Sequence, residues 1–184
     1  MIAHLYGMIV AQARAPAFYQ NYDVPDTVNG RFELLVLHIV LMLNRLRAEA
    51  GQAGTRQADN AQASNWGQGV FDHFCSDMDG NLREMGVGDL AVPDNMRRIG
   101  EAFYGRQGAY EAALAAADPN ELAEVLGRTI FGLDQGVNAD ALRLAAYARE
   151  AVRHLANQEM GVQEGSRPGS VELAFPDPDR IPES

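Results

Sequence analysis

The sequence predicts an all-α protein. Apolar residues recur at i, i+3, i+4 and i+7 through most of the chain, the period of one helix face. No segment sustains the apolar alternation and β-branched enrichment of a strand, and no unit repeats at a fixed spacing. With 184 residues, 47% of them apolar, the chain is sized for one substantial core. The expectation is a single compact bundle of about six or seven helices over residues 1–160, with a long N-terminal loop. A flexible acidic tail containing Pro and Gly is expected to follow over 161–184.

The first short helix is expected over Leu5 to Arg14. Ala15 to Gly30 reads as a long loop with Pro16, Pro25, Asp26 and Asn29 as turn residues, Asn29 being placed to cap the next helix. That helix, Arg31 to about Glu49, carries Phe32, Leu35, Val36, Ile39, Leu43 and Leu46 on one face. Leu34, Leu37 and Leu41 make it apolar elsewhere too, so it should be the central and most buried helix. Its apolar run Leu34 to Leu43 is roughly half the ~20 residues that cross a bilayer. The start of the chain lacks a basic segment and does not read as a secretory signal.

Gly51 to about Asn60 is polar and glycine-rich and should be a loop. The following helix presents Phe71, Phe74, Cys75, Met78, Leu82 and Met85 on one face, and Gly86 is placed to terminate it. Pro93 suits the first turn of a helix with Met96, Ile99 and Phe103 inward and an end at Gly105. Asp118-Pro119-Asn120-Glu121 is a start signal for a helix carrying Leu122, Val125, Leu126 and Thr129. Asn138 should cap the last helix, whose face is Leu144, Tyr147, Ala148, Ala151 and Leu155.

Net charge is −10 and all 15 basic residues are arginine, which argues against a nonspecific grip on nucleic acid or anionic lipid. One cysteine, Cys75, supplies neither an internal disulfide nor a multi-cysteine zinc site, which suits a reducing compartment such as the cytoplasm.

The densest charge lies in DMDGNLREMGVGDL, Asp77 to Leu90. Asp77, Asp79 and Asn81 begin like a calcium loop, but Leu82 stands where the turn needs glycine and Gly88 where the ion needs glutamate. As a helix the block makes better sense: Asp79 precedes Arg83 by four residues, the favourable order for an ion pair. His73, Asp77, Gly80 and Glu84 form the adjoining stripe, which reads as a solvated face or, alternatively, as an enzyme's acid–base pair or two metal ligands. Gly80 is costly in mid-helix and suggests close approach of a backbone or partner.

His38, amid the apolar helix, reads as a hydrogen-bonded core histidine, with a haem or quinone carrier as the alternative. Cys75 falls on a buried face, and the MGVGDL glycines lack the lysine of a phosphate loop. Tyr104 and Arg106 can offer an aromatic ring and a guanidinium to a partner. No catalytic, cofactor or metal-binding residue is assigned.

Three segments, YDVPDTVNGRFELLVLHIVLMLNRL (Tyr22 to Leu46), FCSDMDGNLREMGVGDLAVP (Phe74 to Pro93) and AFYGRQGAYEAAL (Ala102 to Leu114), resemble the ubiquinol–cytochrome c chaperone family of cytochrome bc1 (complex III) assembly factors. The resemblance covers roughly Leu5 to Phe131. It implies a helical, non-enzymatic chaperone without cofactor, in a bacterial form, binding newly made cytochrome b or a bc1 assembly intermediate. It also implies a place in the cytoplasm, at the cytoplasmic face of the inner membrane. On this reading the client lies in a groove lined by aromatic and methionine side chains. Asp77, Asp79, Arg83, Glu84 and Asp89 are expected at its polar rim, with Tyr104 and Arg106 as further contacts.

Overall fold

Every residue from Glu33 to Leu43 is buried, on all sides of one helix. A helix that is apolar all round must be surrounded, and the computed structural model shows how. It describes residues 2–51, 57–158 and 173–181, with backbone alone over 57–63. The central helix α3 (Val28–Ala50) packs on α1 (Ile2–Ala13), α4 (Gln57–Glu84), α5 (Val92–Ala115) and α7 (Ala139–Ala156). The short α6 (Asn120–Thr129) bridges α5 and α7. No strand occurs among the described residues, so the fold is the all-α bundle expected.

Local chemistry sets the ends. Asn138 accepts a hydrogen bond from Ala141 N–H (2.8 Å) and starts α7, as its sequence position implies. Gly86, at φ 82°, ends α4 with both bonds of a Schellman turn, Val87 N–H to Leu82 C=O and Gly86 N–H to Arg83 C=O.

Five expectations change. The loop Ala15 to Gly30 contains a helical turn, α2 (Pro16–Gln20), because Pro16 sits at its first position and the turn buries Ala17 and Phe18. Thr27, not Asn29, caps α3: its Oγ1 accepts from Gly30 N–H at 3.1 Å. A Cβ on Gly30 would stand 2.0 Å from the Pro25 carbonyl oxygen, so the loop closes on the helix only over a glycine. Helix α4 already begins at Gln57, inside the expected linker, of which residues 52–56 lie outside the described set.

Helix α5 runs straight through Gly105 to Ala115. Gly105 costs about 1 kcal/mol in a helix interior, and burying Tyr110 and Ala113 one and two turns later outweighs it.

The segment 173–181, placed in the loose tail by its prolines, is anchored. Leu173 is buried, Gln12 donates to the Pro176 carbonyl (3.0 Å), and Tyr22 Oη donates to the Pro178 carbonyl (2.7 Å). The side-chain amide of Gln158 bonds Ala174 in both directions, at 2.8 and 2.7 Å. Extended segments bind through backbone groups, which leaves no periodic signature. Residues 161–172 and 182–184 of that expected tail lie outside the described set.

Candidate functional site

Helix α4 carries one apolar stripe, but the bundle covers only half of it. Phe74 is fully buried, its ring 5.3 Å from Phe103 and 6.3 Å from Phe32 and Phe71. Further along, Met78 is half-buried and Met85 is 64% exposed. These methionines and Leu82 form one wall of a groove of about 870 Å³, whose other walls are the end of α1, the start of α3 and the start of α5. Val10, Phe32, Leu35 and Ile99 complete its apolar surface. Val28, 78% exposed, stands at its edge.

The charged lining consists of Arg14, Arg31, Arg98 and Glu84. Arg31 bonds Asp26 at 2.7 Å and lies over the Tyr19 ring at 5.7 Å; Arg98 bonds Asp94 at 3.0 Å. Asp94 is shared with Arg97, and the guanidinium of Arg14 has no carboxylate partner among the described residues.

The other side chains singled out by sequence are distributed differently. Glu84 is at the groove. Asp77 instead accepts the Tyr6 hydroxyl (2.8 Å), and burial, reinforced by this carboxylate, pushes the Tyr6 hydroxyl pKa well above its usual value. Asp79, Arg83 and Asp89 form their own exposed cluster: Arg83 bonds Asp79 at 2.7 Å and reaches across the Gly86 turn to Asp89. Tyr104 lies on a neighbouring cleft beside Phe71, ring centroids 5.3 Å apart. Arg106 is turned inward, both carboxylate oxygens of the buried Glu33 accepting from it at 2.9 and 2.8 Å.

His73 packs edge-on to Tyr6 at 4.8 Å, while Glu84 faces the groove, so His73, Asp77 and Glu84 do not converge on one point. No group of three or more acidic, histidine or cysteine side chains among the described residues is placed to hold a metal ion.

Gly80 is a second departure. A Cβ there would meet nothing within 4 Å, so close packing inside the chain is not the reason for it. Gly80→Ala is expected to stabilise the protein by about 0.8–1 kcal/mol, read as a higher melting temperature. An unchanged or lower one would show that α4 is strained at this position.

His38 has both ring nitrogens engaged. The Leu34 carbonyl can only accept, so Nδ1 carries the proton and donates to it (2.8 Å), and Nε2 accepts from Tyr147 Oη (2.9 Å). Gln12 donates in turn to Tyr147 Oη (2.9 Å) and to the Pro176 carbonyl (3.0 Å). The histidine is a directed core hydrogen-bonder, with neither nitrogen left for iron.

Sequence reasoning missed two arginines that finish helices. Buried Arg45 donates to the carbonyls of Leu155 (2.8 Å) and Gln158 (2.9 Å) at the end of α7. Arg149 makes longer contacts to the Ala113 and Leu114 carbonyls, 3.3 and 3.5 Å, at the end of α5. Cations are favoured at helix C-termini, but their partners lie far along the chain and only the fold brings them near.

An all-α bundle with an open apolar groove, in which His38, His73, Asp77 and Asp79 are engaged in packing, hydrogen bonds and an ion pair, has the build of a helical binding protein. The chain belongs to the ubiquinol-cytochrome C chaperone family, whose model matches residues 20–161. It is similar to ubiquinol-cytochrome-c reductase complex assembly factor 1 of Xenopus laevis, 24% identical over 151 residues, or 82% of this chain and 70% of the frog protein. The corresponding protein of Mus musculus is 25% identical over 152 residues, 82% of this chain and 48% of its own length. Among solved structures, the Cbp3 homolog from Brucella abortus is 37% identical, with a TM-score of 0.76 over 98% of this chain and 91% of that one. Membership of this family implies a chaperone in complex III assembly.

Proposed function

We propose that this protein is a bacterial bc1 assembly chaperone that holds newly made cytochrome b, or an early intermediate containing it, at the cytoplasmic face of the inner membrane. The observation that carries the reading is the family match, which spans α3 to α7 and so includes most of the groove. No helix among the described residues is long and apolar enough to cross a membrane, so the association proposed is peripheral. Exposed Asp79, Arg83, Asp89 and Tyr104, with Glu84 at the groove, are proposed as client contacts; Asp77 and Arg106 act by holding the bundle together.

Deletion of the gene should remove most of the b-type and c1 haem absorbance of the assembled bc1 complex from membranes, and the wild-type gene should restore it. Normal bc1 spectra in the deletion strain would overturn the proposal.

A further inference from the structure

The segment 173–181 lies beyond the residues that the family model matches, yet it occupies a built seat on the bundle. Leu173, Pro176 and Pro178 are buried and Phe175 is half-buried against the core, while Ala174, Asp177, Asp179 and Arg180 face water. Beneath them lies a cluster of rings. Phe18 is 5.4 Å from Tyr22, 5.2 Å from His38 and 4.9 Å from Tyr147, and Phe175 joins the cluster 5.2 Å from His38.

The seat reads backbone. Gln12 donates to the Pro176 carbonyl, Tyr22 Oη to the Pro178 carbonyl, and the Gln158 amide clasps Ala174 through both its N–H and its carbonyl. Asn21 adds a bond to the Asp179 carboxylate at 2.8 Å. The segment asks little in return. Pro176 and Pro178 have no N–H to satisfy, and Asp177 accepts from Asp179 N–H at 3.1 Å within the segment itself. Asp177, at φ −66° and ψ 117°, stands close to polyproline II geometry. An aromatic floor, donors aimed at proline carbonyls and an extended ligand that keeps its shape with few bonds of its own are the parts of a proline-segment recognition site.

We infer that this face of α1, α2 and α7 is a binding site for an extended segment of the pattern Phe-Pro-acid-Pro-acid, that 173–181 is a tethered ligand filling it, and that a partner carrying the same pattern replaces it. The tether sets the terms of replacement. Residues 159–172 join Gln158 to Leu173, and Gln158 itself holds Ala174, so the ligand begins where α7 ends. A short tether gives an effective concentration on the order of 1 mM. Free peptide at lower concentration loses to the tethered copy. A partner already held elsewhere on the protein enjoys the same advantage, which makes replacement conditional on prior docking.

The test uses the full chain carrying Leu173→Asp and Phe175→Asp, which detaches the segment and leaves every residue of the seat in place. A fluorescent peptide with the sequence of residues 173–181 should bind this variant at least about tenfold more tightly than the wild type, where the tethered copy competes. The same peptide with aspartate in place of its phenylalanine should bind the variant about tenfold more weakly. Tyr22→Phe, added to the variant, should weaken the peptide severalfold by removing a donor.

No binding to a folded variant at about 1 mM peptide, or equal binding to variant and wild type, would overturn the inference. If the double variant does not fold, a protease site inserted between Gly161 and Val171 of the full chain takes its place. Exchange of the cut segment for labelled peptide on a folded bundle supports the site. A cut segment that never exchanges, or a bundle that unfolds on cutting, makes 173–181 an integral part of the core and overturns it. A wild-type dimer that grows with concentration and vanishes in the double variant would assign the seat to a second copy and overturn the partner.

Discussion

Arg106→Ala will destabilise this protein by about 3 kcal/mol, and the loss will come from Glu33 rather than from any partner. The Glu33 side chain is only 3% exposed, on the buried helix α3, and both of its oxygens accept from the Arg106 guanidinium. Removing the cation leaves an ionised carboxylate in the core without its counter-charge, which for buried pairs costs roughly 3–5 kcal/mol. The lower end applies because the Arg106 side chain is 33% exposed and its charge is partly screened by water.

Urea unfolding of the two proteins measures the difference directly. Replacing both partners at once, Glu33→Leu with Arg106→Met, should recover most of it, because no buried charge then remains unpaired. If the single variant unfolds at the wild-type denaturant concentration, the pair contributes nothing and Arg106 regains standing as a contact residue. A chaperone defect in an Arg106 variant should therefore be attributed to binding only after its stability has been measured.

Acid should weaken the fold through His38. Complete burial lowers the histidine pKa from 6.5 to about 4, against a smaller opposing effect of its bond to the Leu34 carbonyl. The side chains around it are the hydroxyl of Tyr147 and the rings of Phe18 and Phe175, none of which supplies a negative charge to an imidazolium.

The sign follows from proton uptake. Between pH 6.5 and about 4 the unfolded chain takes up a proton that the folded chain refuses, so stability falls as pH falls through that window. The contribution is complete above the unfolded value and amounts to about 3 kcal/mol over the whole window. Protonation would also turn Nε2 from acceptor to donor, which takes away the acceptor of the Tyr147 hydroxyl and sets a charge against the Phe175 ring 5.2 Å away, so the 173–181 segment should loosen first. Urea titrations across the window should show a steeper pH slope for the wild type than for His38→Gln, which cannot titrate. Parallel slopes in the two proteins would refute the assignment.

How far the sequence revealed the fold depends on what kind of interaction made each feature. Periodic apolar positions marked α3, α4, α6 and α7, and the cap at Asn138 and the terminator at Gly86 were legible because each acts within a few residues of itself. Gly105 misled for the converse reason: a local penalty of about 1 kcal/mol was overruled by burial of Tyr110, which no local rule registers. Pro16 read as a turn residue, and it becomes a first helical position only because Phe18 has somewhere to pack.

The site divides in the same way. Methionine and aromatic positions on α4 marked an apolar stripe, and the Asp79–Arg83 pair followed from helical spacing. Which part of the stripe would be covered was not legible, because that depends on where α3 and α5 lie against α4.

By itself the sequence determined the helical class, the central place of α3, the charged face of α4 and the turn that ends it, since all of these follow from period, propensity and contacts within about one helical turn. Only the tertiary structure decided that Arg106 serves Glu33, that Asp77 serves Tyr6, that 173–181 is strapped to the core, and that arginines border the groove. Each of those pairs residues far apart along the chain, and a charged side chain takes its role from whichever opposite charge, hydroxyl or carbonyl the packing of helices brings within reach.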